Sequence, residues 1–390
     1  GRPAAASQPE AAAARGFGVE LELVARGDDG TGIGGVRKCV ETVLGADDGW
    51  TNWTFEEDES VHPLTEDQIH RLAAAASGEG VGTPFEVSSP GPPRTLAGVR
   101  GLESMGKMLD ALRRVGVQAG PSSSVHVHIN VMNPKAPGDV LTAAGVAAVW
   151  AAYAKFQLVI QEMLSPGRAF GWMSRPLFLD HCEPSTTFQA LQEQQCGSVG
   201  RIFHSLHSYV KSNSDGTSGA DLCAAAFRAS ADSGPARHTC SLPKSYVRHF
   251  QVNLHSLQKY GTIEFRGHSA TYDRVRANHW TTFVLAFVEH FGKGAGKEAI
   301  VNEFFKSDAE QDFIKLREAQ RRATHRDLFY ALPESDLWDR DATAEYFEQR
   351  AWEEGDAACA AVPRNRLGGR MYPPWPMDVA VDCKRAVGGT

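Results

Sequence analysis

The sequence predicts an α+β domain in which a mixed or antiparallel sheet carries helices packed on one face. Three observations predict it. Four short segments alternate apolar and polar residues with a period of two, as half-buried strands do. Between them run segments whose apolar residues recur at threes and fours, as amphipathic helices do. Two strand-like segments at 246–254 and 261–267 read as a hairpin, which puts antiparallel neighbours into the sheet.

Taken in order, residues 1–15 are Ala-rich and read as disordered. In 17–24, Phe17, Val19, Leu21 and Leu23 fall on one face of an extended chain, with Glu20 and Glu22 on the other. Two residues along a strand span roughly 6.5–7 Å, so both carboxylates can serve one cluster of cations. A Gly-rich turn, a short helix near 36–44 and a strand around 50–55 follow, the last running into Glu56-Glu57-Asp58-Glu59-Ser60. The polar stretch 62–82 reads as a loop with one amphipathic turn, and 83–90 as a short strand ended by a Pro/Gly cluster. Leu96, Val99, Leu102, Met105, Met108, Leu109 and Leu112 predict a helix over 95–114. In 124–131, Val125, Val127 and Ile129 face one way and His126, His128 and Asn130 the other. Residues 140–164 predict a buried helix; Lys155 and two glutamines argue against a membrane span there. The irregular stretch 181–245, with a helix near 187–210, reads as an insertion or lid. A helix at 273–292 closes a domain over 16–295, with a helical extension at 296–360 and a Pro/Gly-rich tail at 361–390.

Composition sets the bounds. A hydrophobic content of 42%, a charged content of 22% and a formal net charge of -7 describe a globular chain without the concentrated Lys and Arg of a general nucleic-acid binder. The seven cysteines form no Cys-x-x-Cys pair, which predicts reduced thiols and a cytoplasmic setting. A local disulfide or zinc clip among the four cysteines between 182 and 240 stays open. A targeting segment removed upstream of Gly1 stays open as well.

The polar sides of the strands share a chemistry. They carry Glu20 and Glu22, Glu86, His126 and His128 with Asn130, and Glu264 with Arg266 and His268. Exposed strand positions ordinarily take Thr, Ser, Lys, Arg or Gln. A face stocked with glutamate and histidine repels itself unless cations sit on it. Carboxylates with one or two imidazoles favour a hard ion, Mg²⁺ or Mn²⁺, over structural zinc. Such ions commonly bridge to phosphate, so an inward Arg266 points to a polyphosphate substrate. No phosphate loop competes: in 291–298, Phe291 stands where the first Gly should be and Glu298 where Ser or Thr should be.

The set Gly18-Val19-Glu20-Leu21-Glu22, Glu86-Val87-Ser88-Ser89-Pro90, Ser124-Val125-His126-Val127-His128-Ile129-Asn130 and Thr262-Ile263-Glu264-Phe265-Arg266, followed by Thr271, Asp273 and Trp280, resembles the amidoligase family. That family belongs to the carboxylate–amine ligases, with glutamine synthetase and glutamate–cysteine ligase. The resemblance implies a glutamine-synthetase-type domain, with a curved, mainly antiparallel sheet, helices on one face and an open funnel on the other. It implies use of ATP with Mg²⁺ or Mn²⁺ to phosphorylate a carboxylate, after which an amine attacks the acyl phosphate to give an amide and ADP. The partners implied are a small-molecule or peptide carboxylate and an amine, with no nucleic acid and no membrane. Residue by residue, Glu20, His126 and Glu264 would hold the cation nearer ATP, and Glu22 and Glu86 the one nearer the carboxylate. His126, His128, Asn253 and Arg266 would contact the nucleotide or its ion. Arg266, Asp58 and Arg248 would act on the γ-phosphate, the amine, and phosphate or substrate carboxylate respectively. Arg168 is a further anion-binding candidate. Two rival readings share the residues: a metal-dependent hydrolase using the same Glu/His face, and a binding module without turnover.

Overall fold

A computed structural model describes residues 14–25, 32–45, 50–58, 82–119, 123–164, 168, 174, 176–178, 186–212 (backbone only over 186–198), 222, 249–333, 339 and 341–346. Arg248, the cysteines other than Cys39, the 62–81 loop and the 361–390 tail lie outside the residues described in side-chain detail.

The sheet is built from β1 (Gly16–Ala25), β2 (Thr54–Glu57), β3 (Thr83–Ser88), β4 (Leu96–Ala97), β5 (Ser124–Asn130), β6 (Val252–Asn253) and β7 (Thr262–Ser269). The order is β2-β3-β1-β5-β7-β6, with β4 pairing the start of β1, and all pairs are antiparallel. The strand expected at 50–55 begins instead with a 3₁₀ turn, Trp50–Asn52, because Trp53 turns inward to full burial before the extended stretch starts. The expected hairpin is an antiparallel pair, β6 with β7, but its connection holds a short helix, Ser256–Tyr260, ended by Gly261. Gly261 has φ +70°, and a Cβ there would meet the Asn133 backbone nitrogen at 2.8 Å, so the turn requires glycine.

The curved sheet that the resemblance implied is not found. The strand order is linear with β2 and β6 at its ends, and the sheet is neither closed nor strongly curled. Strong curvature is built from repeated bulges and glycine kinks. The described pairings hold one register shift, between Val125 and Val127 where β5 meets β7.

One face of the sheet is apolar. Phe17, Val19, Leu21, Phe85, Val87, Val127, Ile129, Ile263 and Phe265 are buried there, beneath helices α2 (Gly98–Val115), α3 (Ala143–Glu162) and α6 (Arg274–Gly292). Helix α3 is long and apolar enough to cross a membrane, yet 83% of its most apolar window is buried inside this core. Close helix packing explains its Gly145, where a Cβ would meet the Gly292 carbonyl oxygen at 2.5 Å. Asp273 caps α6 by accepting from the Val275 and Arg276 amides, and Trp280 fills the core, so both have structural roles. The remaining described helices, α1 (Gly32–Leu44), α4 (Thr186–Ser212), α5 (Ser256–Tyr260), α7 (Gly294–Phe304), α8 (Ala309–Arg322) and α9 (His325–Ala331), complete the chain. The opposite face of the sheet is where the polar alternation points.

Candidate metal centre on the polar face of the sheet

Register decides which side chains meet. Residues directly opposite across antiparallel strands share a face. Glu56 lies opposite Glu86, and Glu86 opposite Glu22, giving a three-strand carboxylate row. The next row pairs Thr54 with Ser88, Ser88 with Glu20 and Glu20 with His126. A third pairs His128 with Glu264 and Glu264 with Asn253. The period-two pattern of four separate segments therefore becomes one polar surface.

At one end of it, Glu20, His128 and Glu264 offer donor atoms that all lie within 4.8 Å of one another. His128 Nε2 is 3.1 Å from Glu20 Oε1, and His128 Nδ1 is 3.1 Å from Thr262 Oγ1. Nε2 is buried, with the Glu20 carboxylate as its near neighbour. Glu264 accepts from Arg266 Nη1 and, at 2.6 Å, from Asn253 Nδ2, while the Asn253 side-chain oxygen accepts from the His255 amide at 2.8 Å. Asn253 thus fixes the Glu264 carboxylate. The backbone of Arg266 is held in turn: its N–H donates to the Gln251 carbonyl at 2.8 Å, and its carbonyl accepts from Arg168 Nη2 at 2.7 Å.

His126 sits between the two ends. Its Nδ1 is 3.2 Å from Glu20 and 3.5 Å from Glu264, and its Nε2 is 2.7 Å from Ser124 Oγ and 3.4 Å from Glu22. Ser124 Oγ also donates to Glu22. At the far end Glu86 accepts from Ser88 Oγ at 2.5 Å, and half-buried Asp58 adds its charge to the surroundings of Glu86.

The charges answer to this packing. Burial raises the Glu20 carboxyl, but the His128 charge and hydrogen bonds from both histidines outweigh it and hold the group well below the ordinary range. Burial likewise opposes ionisation of Glu264, and Arg266, His128 and His126 overcome it. For His128 burial favours the neutral ring, yet Glu20 and Glu264 raise it to about 9. Glu86 has no such help: burial, then the charges of Glu20, Asp58 and Glu22, push it up to about 8. Burial lowers Arg168 to about 10.

Two carboxylates and one imidazole whose buried Nε2 lies among their oxygens fit a divalent cation. Beside them lies a cavity of about 260 Å³, walled by Glu20, His128, Ser89, Asn130, Tyr260 and Thr262 among others. The structure therefore brings together Glu20, Glu22, His126, His128, Asn253, Glu264 and Arg266, with Glu86 and Asp58 on the adjoining strands. Arg248 lies outside the described residues. Sequence reading passed over Ser124 and Thr262, although the same alternation, extended one step, places Ser124 beside His126 and Thr262 beside Glu264.

No curated protein matches the chain. A family model described as "Putative amidoligase enzyme" matches residues 13–288, which takes in every strand of the polar face. On that match, carried over most of its length, the chain belongs to the amidoligase family.

Proposed function

We propose that this chain is a divalent-cation-dependent ligase that uses ATP to activate a carboxylate and join it to an amine. The observation that carries the reading is the convergence of Glu20, His128 and Glu264 beside Arg266, in a chain of the amidoligase family. A bound Mg²⁺ or Mn²⁺ would neutralise phosphate oxygens, easing attack of the carboxylate on the γ-phosphorus and departure of ADP.

Within this reading, Glu20, His128 and Glu264 hold the cation, and His126 braces the carboxylates around it. Asn253 holds Glu264 in place. Arg266, positioned by Glu264, faces the charge that builds on the transferred phosphoryl group. The neighbouring cavity shares Glu20 and His128 with the cation site, so one ligand can fill it and still reach the ion. Glu22 and Glu86 seat a second cation near the carboxylate. Asp58, whose charge reaches Glu86, takes a proton from the attacking amine in this reading. The amide and ADP are the products, and a small molecule or peptide supplies the carboxylate.

The cation site also supports a second reading. Three protein donors leave coordination positions open to water, which is sufficient for a metal-dependent hydrolase acting without nucleotide. Titration calorimetry with Mg-ATP and Mn-ATP separates the two, followed by a screen of amino acids and amines for ADP release with mass spectrometry of the products. ADP release that needs both a carboxylate and an amine establishes the ligase. Metal binding with no nucleotide binding overturns it in favour of the hydrolase.

A further inference from the structure

We infer that Thr262 is a positioning residue that keeps the proton of neutral His128 on Nδ1 and so leaves the Nε2 lone pair for a divalent cation. The inference rests on the cation reading of Glu20, His128 and Glu264, but on neither ATP nor the ligase reaction. A neutral imidazole has one N–H and one lone pair, and it binds a metal through the nitrogen that lacks the proton. The opposite nitrogen then needs an acceptor, and in metal sites that acceptor fixes both tautomer and ring orientation.

Thr262 Oγ1, 3.1 Å from Nδ1, is the acceptor that the structure supplies. Nε2, on the other side of the ring, is buried 3.1 Å from Glu20 Oε1 and lies among the donor atoms of Glu20 and Glu264. The second imidazole on the same strand is arranged otherwise. His126 has Ser124 against Nε2 and Glu20 against Nδ1, so both of its nitrogens face protein groups. Each ring has a hydroxyl against one nitrogen and Glu20 near the other, but among the described residues it is His128 whose donor atom groups with those of Glu20 and Glu264, all within 4.8 Å of one another.

The placement of Thr262 is itself constrained. It is the first residue of β7, and the register sets it opposite Asn130, diagonal to His128 and on the same face as Glu264. Gly261 before it occupies a left-handed turn with no room for a side chain. Its carbonyl accepts from Ser256 Oγ at 2.7 Å. The turn after α5 thus sets Thr262, and Thr262 sets the ring.

The test compares Mn²⁺ binding by calorimetry for the full chain, Thr262→Val and Thr262→Ser, with folding checked by circular dichroism. The valine is nearly isosteric and lacks the acceptor; the serine keeps it. Thr262→Val should weaken Mn²⁺ binding by ~10–100-fold, with Thr262→Ser within about threefold of the parent. In the Mg²⁺-loaded parent, ¹⁵N spectra of the histidine rings should place the His128 proton on Nδ1. A folded Thr262→Val that binds Mn²⁺ like the parent overturns the inference and leaves the cation site standing. A ring proton found on Nε2 overturns it as well. A parent chain that binds no Mn²⁺ overturns the cation site together with this inference.

Discussion

The two ends of the polar face carry the same residue type and treat it in opposite ways. Around Glu20 and Glu264, carboxylates alternate with His126, His128 and Arg266, and both are held ionised. Around Glu86, carboxylates face carboxylates across three strands, relieved by one serine hydroxyl, and Glu86 is pushed up to about 8. The first end is complete enough to present a formed donor set. The second is left with a charge conflict that a proton or a cation can resolve, because like charges directly opposite on a sheet repel. Pre-organisation and charge frustration thus sit a strand apart. An apolar scaffold on the opposite face holds both in place.

The strongest way to break this contrast is to unbalance the complete end. Glu264→Gln removes the counter-charge of buried Arg266 and one metal donor together. Unfolding by denaturant should register a loss of up to about 3–5 kcal/mol, the usual effect of removing one partner of a buried ion pair. Mn²⁺ binding by calorimetry should fall ~100-fold or more.

Next in size is the separation of the two histidines. His128→Ala should abolish most cation affinity and also destabilise the metal-free protein, since buried Glu20 and Glu264 lose a charge that holds them ionised. His126→Ala should cost about 2–4 kcal/mol in the metal-free protein, since Glu20, Glu22 and Glu264 lose the ring between them. Equal effects of the two substitutions on Mn²⁺ binding would erase the distinction.

The proton at the complete end gives a third measure. His128 is raised to about 9 in the absence of metal, so a cation must displace its proton below that pH. Mn²⁺ affinity should therefore rise with pH up to about 9, and calorimetry in buffers of different ionisation enthalpy should report about one proton released from this ring.

At the frustrated end the sign follows from Glu86. Its folded value, about 8, lies above its ordinary 4.5, so the folded state binds the extra proton. Stability of the metal-free chain should fall as pH rises between these two values. Glu86→Gln should remove that slope and gain on the order of 2 kcal/mol at pH 8. Saturating Mg²⁺ should flatten the parent's slope if a second cation resolves the conflict. The smallest expected effect is that of Ser88→Ala, about 0.5–1.5 kcal/mol, seen only above pH 8 where Glu86 is ionised and needs the hydroxyl.

Much of this was legible in the sequence, for identifiable reasons. Period-two alternation in 17–24, 83–90, 124–131 and 261–267 gives strand identity and facing at once, because side-chain direction in a strand is fixed by parity. The 95–114 and 273–292 periodicities located α2 and α6 to within a few residues. The short helix between β6 and β7 was missed because five residues are too few for a helical period to appear. That the sheet is not strongly curled was missed because curvature depends on bulges between strands, which no single strand encodes.

By itself the sequence determined that carboxylates and imidazoles would share a sheet face and that this face would be electrostatically costly without cations. Tertiary structure alone decided the pairing: that Glu20 meets His128 and Glu264 while Glu22 meets Ser124 and Glu86, and that His126 lies between Glu20, Glu22 and Glu264. Parity along a strand is local and survives in any fold. Register between strands is set by turns, glycines and packing far away in the chain, and a shift by two residues would keep every facing while exchanging every partner.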